Sequence, residues 1–401
     1  MIPVLLLLAS LAAAADPRDA NEAAIRRRPR AMSLTLVDLA DTADDTQRAQ
    51  VAYYLGRCFE QIGLLQSAHR QFVRALSSPT WRSRSLSGLV RTAERIGDDE
   101  PLLPIAAAVD PASFSPSFAG ALWFARGRQL ARDGQPAAAT AALEAVAPTS
   151  PRYPAAQLHL AVLQHERGAS EAARDTLLRL LSLRAPRSQL ARIHLGAVQQ
   201  LARLDLARLY YGAHRFEEAT RIYATLDEDG PYAALAALES GWASLILGDE
   251  AAARAGAAAG GERILAAELW LHLEPARADP DAWASEAAAI AAAEDHYAAS
   301  PGALWRDWFS DGADTDVPVP DAFFDDALRD VRLAGAALRL RQIRAEEVLV
   351  ADQDPAWQET FGAALAERLA TDRAEVEDRA GRLLLARLAA RREGLTALVS
   401  P

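Results

Sequence analysis

The chain has 401 residues, 51% of them hydrophobic and 24% charged, a composition that suits a folded protein too long for one compact core. Its net charge of −11 argues against general nucleic-acid binding, which needs a basic footprint. All 43 basic residues are arginine, so a Walker-type P-loop and Schiff-base lysine chemistry are excluded, and the single cysteine, Cys58, excludes an intrachain disulfide.

Residues 1–15 read as an export signal. The apolar run Val4–Leu11 leads to Ala13-Ala14-Ala15, an A-x-A cleavage pattern before Asp16. The run is too short to span a bilayer, and no cysteine at the cleavage site offers a lipid anchor. The expected mature chain begins near Asp16 and is periplasmic or secreted, with no membrane span. Residues 16–45 form an N-terminal leader helix.

From 46 to 260 a small-residue pattern returns. Gly63 and Gly97 are 34 residues apart, as are Gly134 and Gly168, and as are Ala139 and Ala173. The segment from Gly120 carries Trp123, Gly127 and Leu130, then Ala139 and Leu143, and ends at Pro151. In phase with it come Leu160, Ala161, Gly168, Ala173 and Leu177; earlier lie Leu55-Gly56, Phe59, Gly63, Ala68 and Phe72. Later units read Leu206-Ala207, Tyr210, Ala219, Tyr223 and Pro231, then Gly241, Gly248 and Ala253, while the stretch around Leu86–Gly97 is degenerate. Small residues where paired helices cross let the backbones approach, and glycine at the turn supplies the left-handed conformation that ends a helix.

In this period and pattern the segment resembles the tetratricopeptide-repeat (TPR) family. The resemblance covers about half of the chain and implies an all-α fold: a TPR-type α-solenoid of five or six units, a right-handed superhelix of helix pairs. It further implies a non-catalytic scaffold that binds other proteins in a concave groove lined by the first helix of each unit. Transferred by phase, the groove positions are Tyr53, Arg57 and Glu60, Phe124 and Arg128, Leu158 and His165, Leu204, Arg208 and Tyr211, and Leu238 and Trp242. Arg57, Arg128 and Arg208 share one place in the unit, and a row of guanidiniums beside Tyr53, Phe124, Tyr211 and Trp242 predicts acidic peptide segments as partners. The lysine-and-asparagine carboxylate clamp of chaperone-binding members is absent.

Residues 261–320 read as a helical transition with an acidic loop. Asp311, Asp314, Asp316, Asp321, Asp325 and Asp326 invite a calcium reading, but a twelve-residue loop counted from Asp314 puts Pro318 and Val319 where a ligand and a glycine are required. Pro318 and Pro320 mark a boundary. Residues 321–401 read as a C-terminal helical hairpin that either caps the array or projects as a coiled coil able to oligomerise. One stripe runs through Phe324, Ala327, Val331, Ala334, Leu338 and Ala345, the other through Phe361, Leu365, Leu369, Val376, Ala380, Leu384 and Leu388.

Candidate chemistry is sparse. Glu239-Ser240 resembles the catalytic pair of soluble lytic transglycosylases, whose superhelical framework offers an alternative reading as a subunit acting on envelope polymer. The downstream glycine-rich pattern of those enzymes is missing. His159 and His165 are six apart and do not share a helix face at ligand spacing. The expectation is therefore a cofactor-free, metal-free interaction protein of the bacterial cell envelope.

Overall fold

The computed structural model describes residues 17–399 except 41–42, 98, 185–188, 262, 310–322, 324–325 and 328–329. The export signal, the boundary at Pro318–Pro320 and the calcium-loop aspartates other than Asp326 fall outside the described residues. Among those described, every regular element is a helix and there is no strand, so the chain is all-α. No described helix is long and apolar enough to cross a membrane.

The chain divides into two compact units, Met1–Ile105 with Val331–Ala380, and Ala106–Asp330 with Gly381–Pro401. The array read from the sequence is thus divided after Ile105. The last helix, Ala363–Val399, gives its first part to one unit and its second part to the other.

In the first unit, helix Asp45–Ile62 starts from a capping box: Gln47 N–H donates to Asp44 Oδ1 at 2.8 Å and Asp44 N–H donates to Gln47 Oε1 at 3.0 Å. It stops at Gly63, whose φ of 101° is left-handed. Helix Leu65–Ala75 follows, and its fully buried Phe72 is gripped by two glycines. A Cβ at Gly56 would stand 2.8 Å from the Phe72 ring, and one at Gly88 2.7 Å.

The C-terminal segment of this unit packs onto the same helices. Helix Leu65–Ala75 has no side-chain cap of its own at Leu64. Instead Gln66 N–H donates to Glu346 Oε1 at 2.5 Å, and the Ser67 amide and hydroxyl donate to Glu346 Oε2 at 3.3 and 3.2 Å. A carboxylate from helix Val331–Ala351 thereby fills the N-cap role, where anions are favoured. The buried face of that helix runs through Leu333, Ala336, Leu340, Ile343, Glu346 and Val350, while Leu338 is 40% exposed and Ala345 also faces solvent. The stripe expected through Ala334, Leu338 and Ala345 is therefore rotated. A count of apolar residues cannot place a buried glutamate on the inner face. Leu369, Val376, Ala380, Leu384 and Leu388 of the last helix are all buried, so their stripe is consumed within the chain.

The second unit is built from consecutive helix pairs: Pro116–Arg132 with Pro136–Glu144, Tyr153–Glu166 with Ser170–Leu181, Gln189–Gly212 with Phe216–Tyr223, and Ala233–Ile246 with Glu250–Gly260. Each pair turns on one left-handed residue: Gly134 (φ 68°), Gly168 (79°), His214 (57°) and Gly248 (82°). The hydrogen bonding repeats as well. Gln135 N–H donates to Leu130 O, Ala169 to Gln164, Arg215 to Tyr210 and Asp249 to Ser244, each at 2.8–2.9 Å. This is the Schellman closure. His214 stands 34 residues before Gly248, in the place the sequence pattern reserves for glycine.

Counted from these turns, the small residues fall into register. Five residues after each lie Ala139, Ala173, Ala219 and Ala253, all fully buried. Seven before lie Gly127, Ala161, Ala207 and Gly241, so each pair crosses small on small. A Cβ at Gly127 would meet Leu143 Cδ2 at 2.7 Å, and one at Gly241 would meet the Gly256 Cα at 3.0 Å. Gly127→Leu is expected to force this crossing apart and cost about 1–3 kcal/mol, read as a lowered melting temperature. An unchanged melting profile would contradict the close crossing.

Candidate functional site

Six residues before the left-handed turn, the first helix of each pair presents a side chain near the surface. In the second unit this place holds Arg128, Val162, Arg208 and Trp242; in the first it holds Arg57 and Arg91. Arg91 was missed because its unit lacks the other small-residue marks, yet it stands six before Gly97. Ten before the turn, by contrast, the side chains are mostly core. Tyr53 is 7% exposed, Phe124 4%, Leu204 2% and Leu238 0%. Tyr53, Phe124, Leu204 and Leu238, expected on an open groove, are thus corrected to buried positions, because neighbouring elements close over them. Tyr53 stacks on Trp81 at 5.1 Å between centroids, and Phe124 meets the edge of His159 at 5.5 Å.

The arginines do not stand as bare cations. In the first unit Arg57 Nη2 pairs with Glu22 at 2.9 Å and Nη1 with Glu60 at 2.6 Å. Burial opposes its charge, but Glu22 and Glu60 outweigh burial and raise its pKa. Tyr53 also donates to Glu22, at 3.2 Å, and burial pushes its phenol up to about 12. Glu60 is itself 5% exposed and shared with Arg91 at 3.0 Å. Arg128 of the second unit lies over the Phe124 ring at 5.8 Å.

The predicted residues that do converge are Arg208, Tyr211 and Trp242. With Tyr223, Glu239, Leu265 and Glu268 they line a cleft of about 430 Å³ between the last two helix pairs and the helix Ile264–Leu273. Arg208 grips Glu239 through Nε at 2.9 Å and Nη2 at 2.6 Å, and reaches Asp205 at 3.4 Å. Burial works against the Arg208 charge, but Glu239 and Asp205 outweigh it. Tyr223 O–H donates to Glu239 Oε2, which Arg208 Nε also contacts, at 3.0 Å; burial and then Glu239 hold that phenol well above the usual range. Trp242 is fixed by its indole N–H, which donates to Leu265 O at 3.1 Å, and by the edge of His272 at 5.2 Å. Glu268 is half-buried, and its carboxylate takes no hydrogen bond or ion pair among the described residues.

This geometry sets what the cleft can do chemically. A general acid needs a carboxyl free to hold and pass a proton. Both Glu239 oxygens are committed, to Arg208 and Tyr223, so this carboxylate is held in place and not free to pass a proton. The cleft has aromatic walls and a polar floor.

His159 is half-buried, and desolvation, then Arg128 and Arg132, pushes it down to about 4, which keeps it neutral. His165 pairs with Ser170 Oγ at 3.1 Å. No group of metal-ligand side chains forms among the described residues. Asp326 is taken up by Arg263, at 2.8 and 2.9 Å. Cys58 is fully buried, and burial raises its thiol to about 12, far from a reactive thiolate. No protein-family model matches the chain, and no curated protein matches it.

Proposed function

We propose that this chain is a TPR-type helical-repeat protein, a non-catalytic scaffold of the bacterial cell envelope that binds other proteins in the groove of its helix pairs. The export pattern at Ala13–Ala15 motivates the periplasmic assignment. Four turns with one hydrogen-bonding pattern, and small residues at fixed distances from them, support the repeat reading. A terminal hairpin serving as an internal brace fits the burial of its apolar residues better than an oligomerising coiled coil does.

The observation that carries the binding reading is the cleft itself. Arg208 and Trp242 come from the same place in successive pairs, Tyr211 from three residues further on, and together they wall a space large enough for a side chain and its backbone. Aromatic and arginine side chains are the types that dominate binding hot spots.

The test uses a photo-crosslinking benzoylphenylalanine at Leu265, an exposed lining residue, with the same probe at the exposed Val348 as control. In an envelope extract the Leu265 probe is expected to give a discrete protein adduct that Trp242→Ala abolishes and the Val348 probe does not give. No adduct at Leu265, or the same adducts at both places, would overturn the assignment.

A further inference from the structure

Resting on that reading, we infer that the cleft between the last two helix pairs receives an arginine side chain from an extended segment of the partner protein, and that Glu268 is its counter-ion.

Charge decides the sign of the ligand. The one guanidinium in the cleft, Arg208, is engaged by Glu239 and Asp205, with three contacts to Glu239 of 3.2 Å or less. An incoming carboxylate would find the Arg208 charge already balanced by Glu239, which Tyr223 also holds, and by Asp205. Counting Asp205 beside it, one guanidinium faces three carboxylates, and Glu268 is the one without a partner among the described residues. The cleft therefore offers an unmet negative charge, inside a chain of net charge −11 that steers cations toward it. An acidic peptide, the partner expected from the arginine row alone, meets the wrong sign here.

The walls then select among cations. Trp242 and Tyr211 present aromatic rings, and a planar guanidinium both stacks on such rings and pairs bidentately with a carboxylate. The same pairing already occurs in this unit, where Arg277 lies over the Trp270 ring at 4.0 Å from its centroid and joins Glu274 at 2.7 Å. Leu265 supplies an apolar side for the methylene stem. The volume of about 430 Å³ suits one long side chain with part of its backbone.

The experiment follows the Trp242 indole N–H resonance of the full-length protein, assigned by its loss in Trp242→Phe. The probes are acetyl-Gly-Arg-Gly-amide, acetyl-Gly-Glu-Gly-amide and acetyl-Gly-Leu-Gly-amide. The arginine peptide is expected to shift the resonance saturably and more weakly as salt is raised, while the other two leave it in place. Glu268→Gln, whose fold is checked by the unchanged rest of the spectrum, is expected to weaken arginine-peptide binding about fivefold.

A stronger response to the glutamate or leucine peptide overturns the arginine assignment but leaves a protein-binding groove standing. So does an arginine response that Glu268→Gln leaves unchanged. If no peptide shifts the resonance, the arginine assignment fails, and the Leu265 crosslink independently decides whether the groove reading fails with it.

Discussion

Trp357→Ala is expected to destabilise the first unit by about 3–5 kcal/mol. The ring is fully buried, and it meets Phe59 edge-on at 6.4 Å and Phe361 at 4.9 Å. Its indole N–H also donates to Ser33 Oγ at 3.1 Å. Truncation removes the ring and leaves a cavity between segments 324 residues apart, from Ser33 to Trp357. The Ser33 hydroxyl keeps its own acceptor, Arg30 O at 2.7 Å, so the loss is chiefly one of packing. Trp357→Phe should therefore cost much less, about 1 kcal/mol for the missing hydrogen bond plus a smaller void. Chemical denaturation with hydrogen exchange at Phe59 checks both values. A Trp357→Ala cost below about 1 kcal/mol would mean that the segment after Val331 is not seated on Ser33 and Phe59.

The second large effect is a pH dependence at Glu346. Burial raises its pKa from 4.5 to about 7, against hydrogen bonds from Gln66, Gln342 and Ser67 that favour the charged form. A carboxyl raised on folding contributes stability that is complete below its unfolded pKa and is lost as pH rises through its folded one. The window is therefore about pH 4.5 to 7, and the shift corresponds to about 3 kcal/mol. Below the window the carboxyl can donate to Ser67 Oγ, and above it the ion must be held in a dry site. Arg70 and Arg339 face the same region; the Arg70 pKa is lowered to about 10, mainly by burial, still above the window. His69 acts in the opposite sense: burial lowers it to about 3, so its contribution is lost as pH falls below 6.5.

The raw stability curve mixes these groups, and the difference between the wild type and Glu346→Gln isolates one of them. That difference should shift by about 3 kcal/mol in favour of the glutamine variant between pH 4.5 and 7, then level off. A flat difference would show that Glu346 has the same pKa folded and unfolded.

Much of the helix pairing was legible because its determinants are local. Gly63, Gly97, Gly134 and Gly168 mark turns whose backbone only a few residue types adopt, and they recur at a spacing that composition does not produce. His214 hid one such turn from a search keyed to glycine, although nothing lies within 4 Å of the place a Cβ would take at Gly134, Gly168 or Gly248. At these turns conformation excludes side chains, not space, and one histidine bears that strain. The candidate site was only partly legible. Phase identifies a face of a helix but not what covers that face, which is why Tyr53 and Phe124 were expected on the surface. Arg57 and Arg208 find carboxylates 35 residues back and 31 residues on, at Glu22 and Glu239, and no spacing rule announces such partners. Glu346 capping a helix 280 residues earlier lies further still beyond a local reading.

The burial of Cys58 has a practical consequence. Its thiol is fully enclosed and protonated at any working pH, so it will not compete for a maleimide or a spin label. Ile193, 60% exposed on the longest first helix of the second unit, is then an attachment point that needs no cysteine-free background. A cysteine introduced there would be the one accessible thiol of the native protein, and a fluorophore on it would report partner binding from the surface of the unit that carries the cleft.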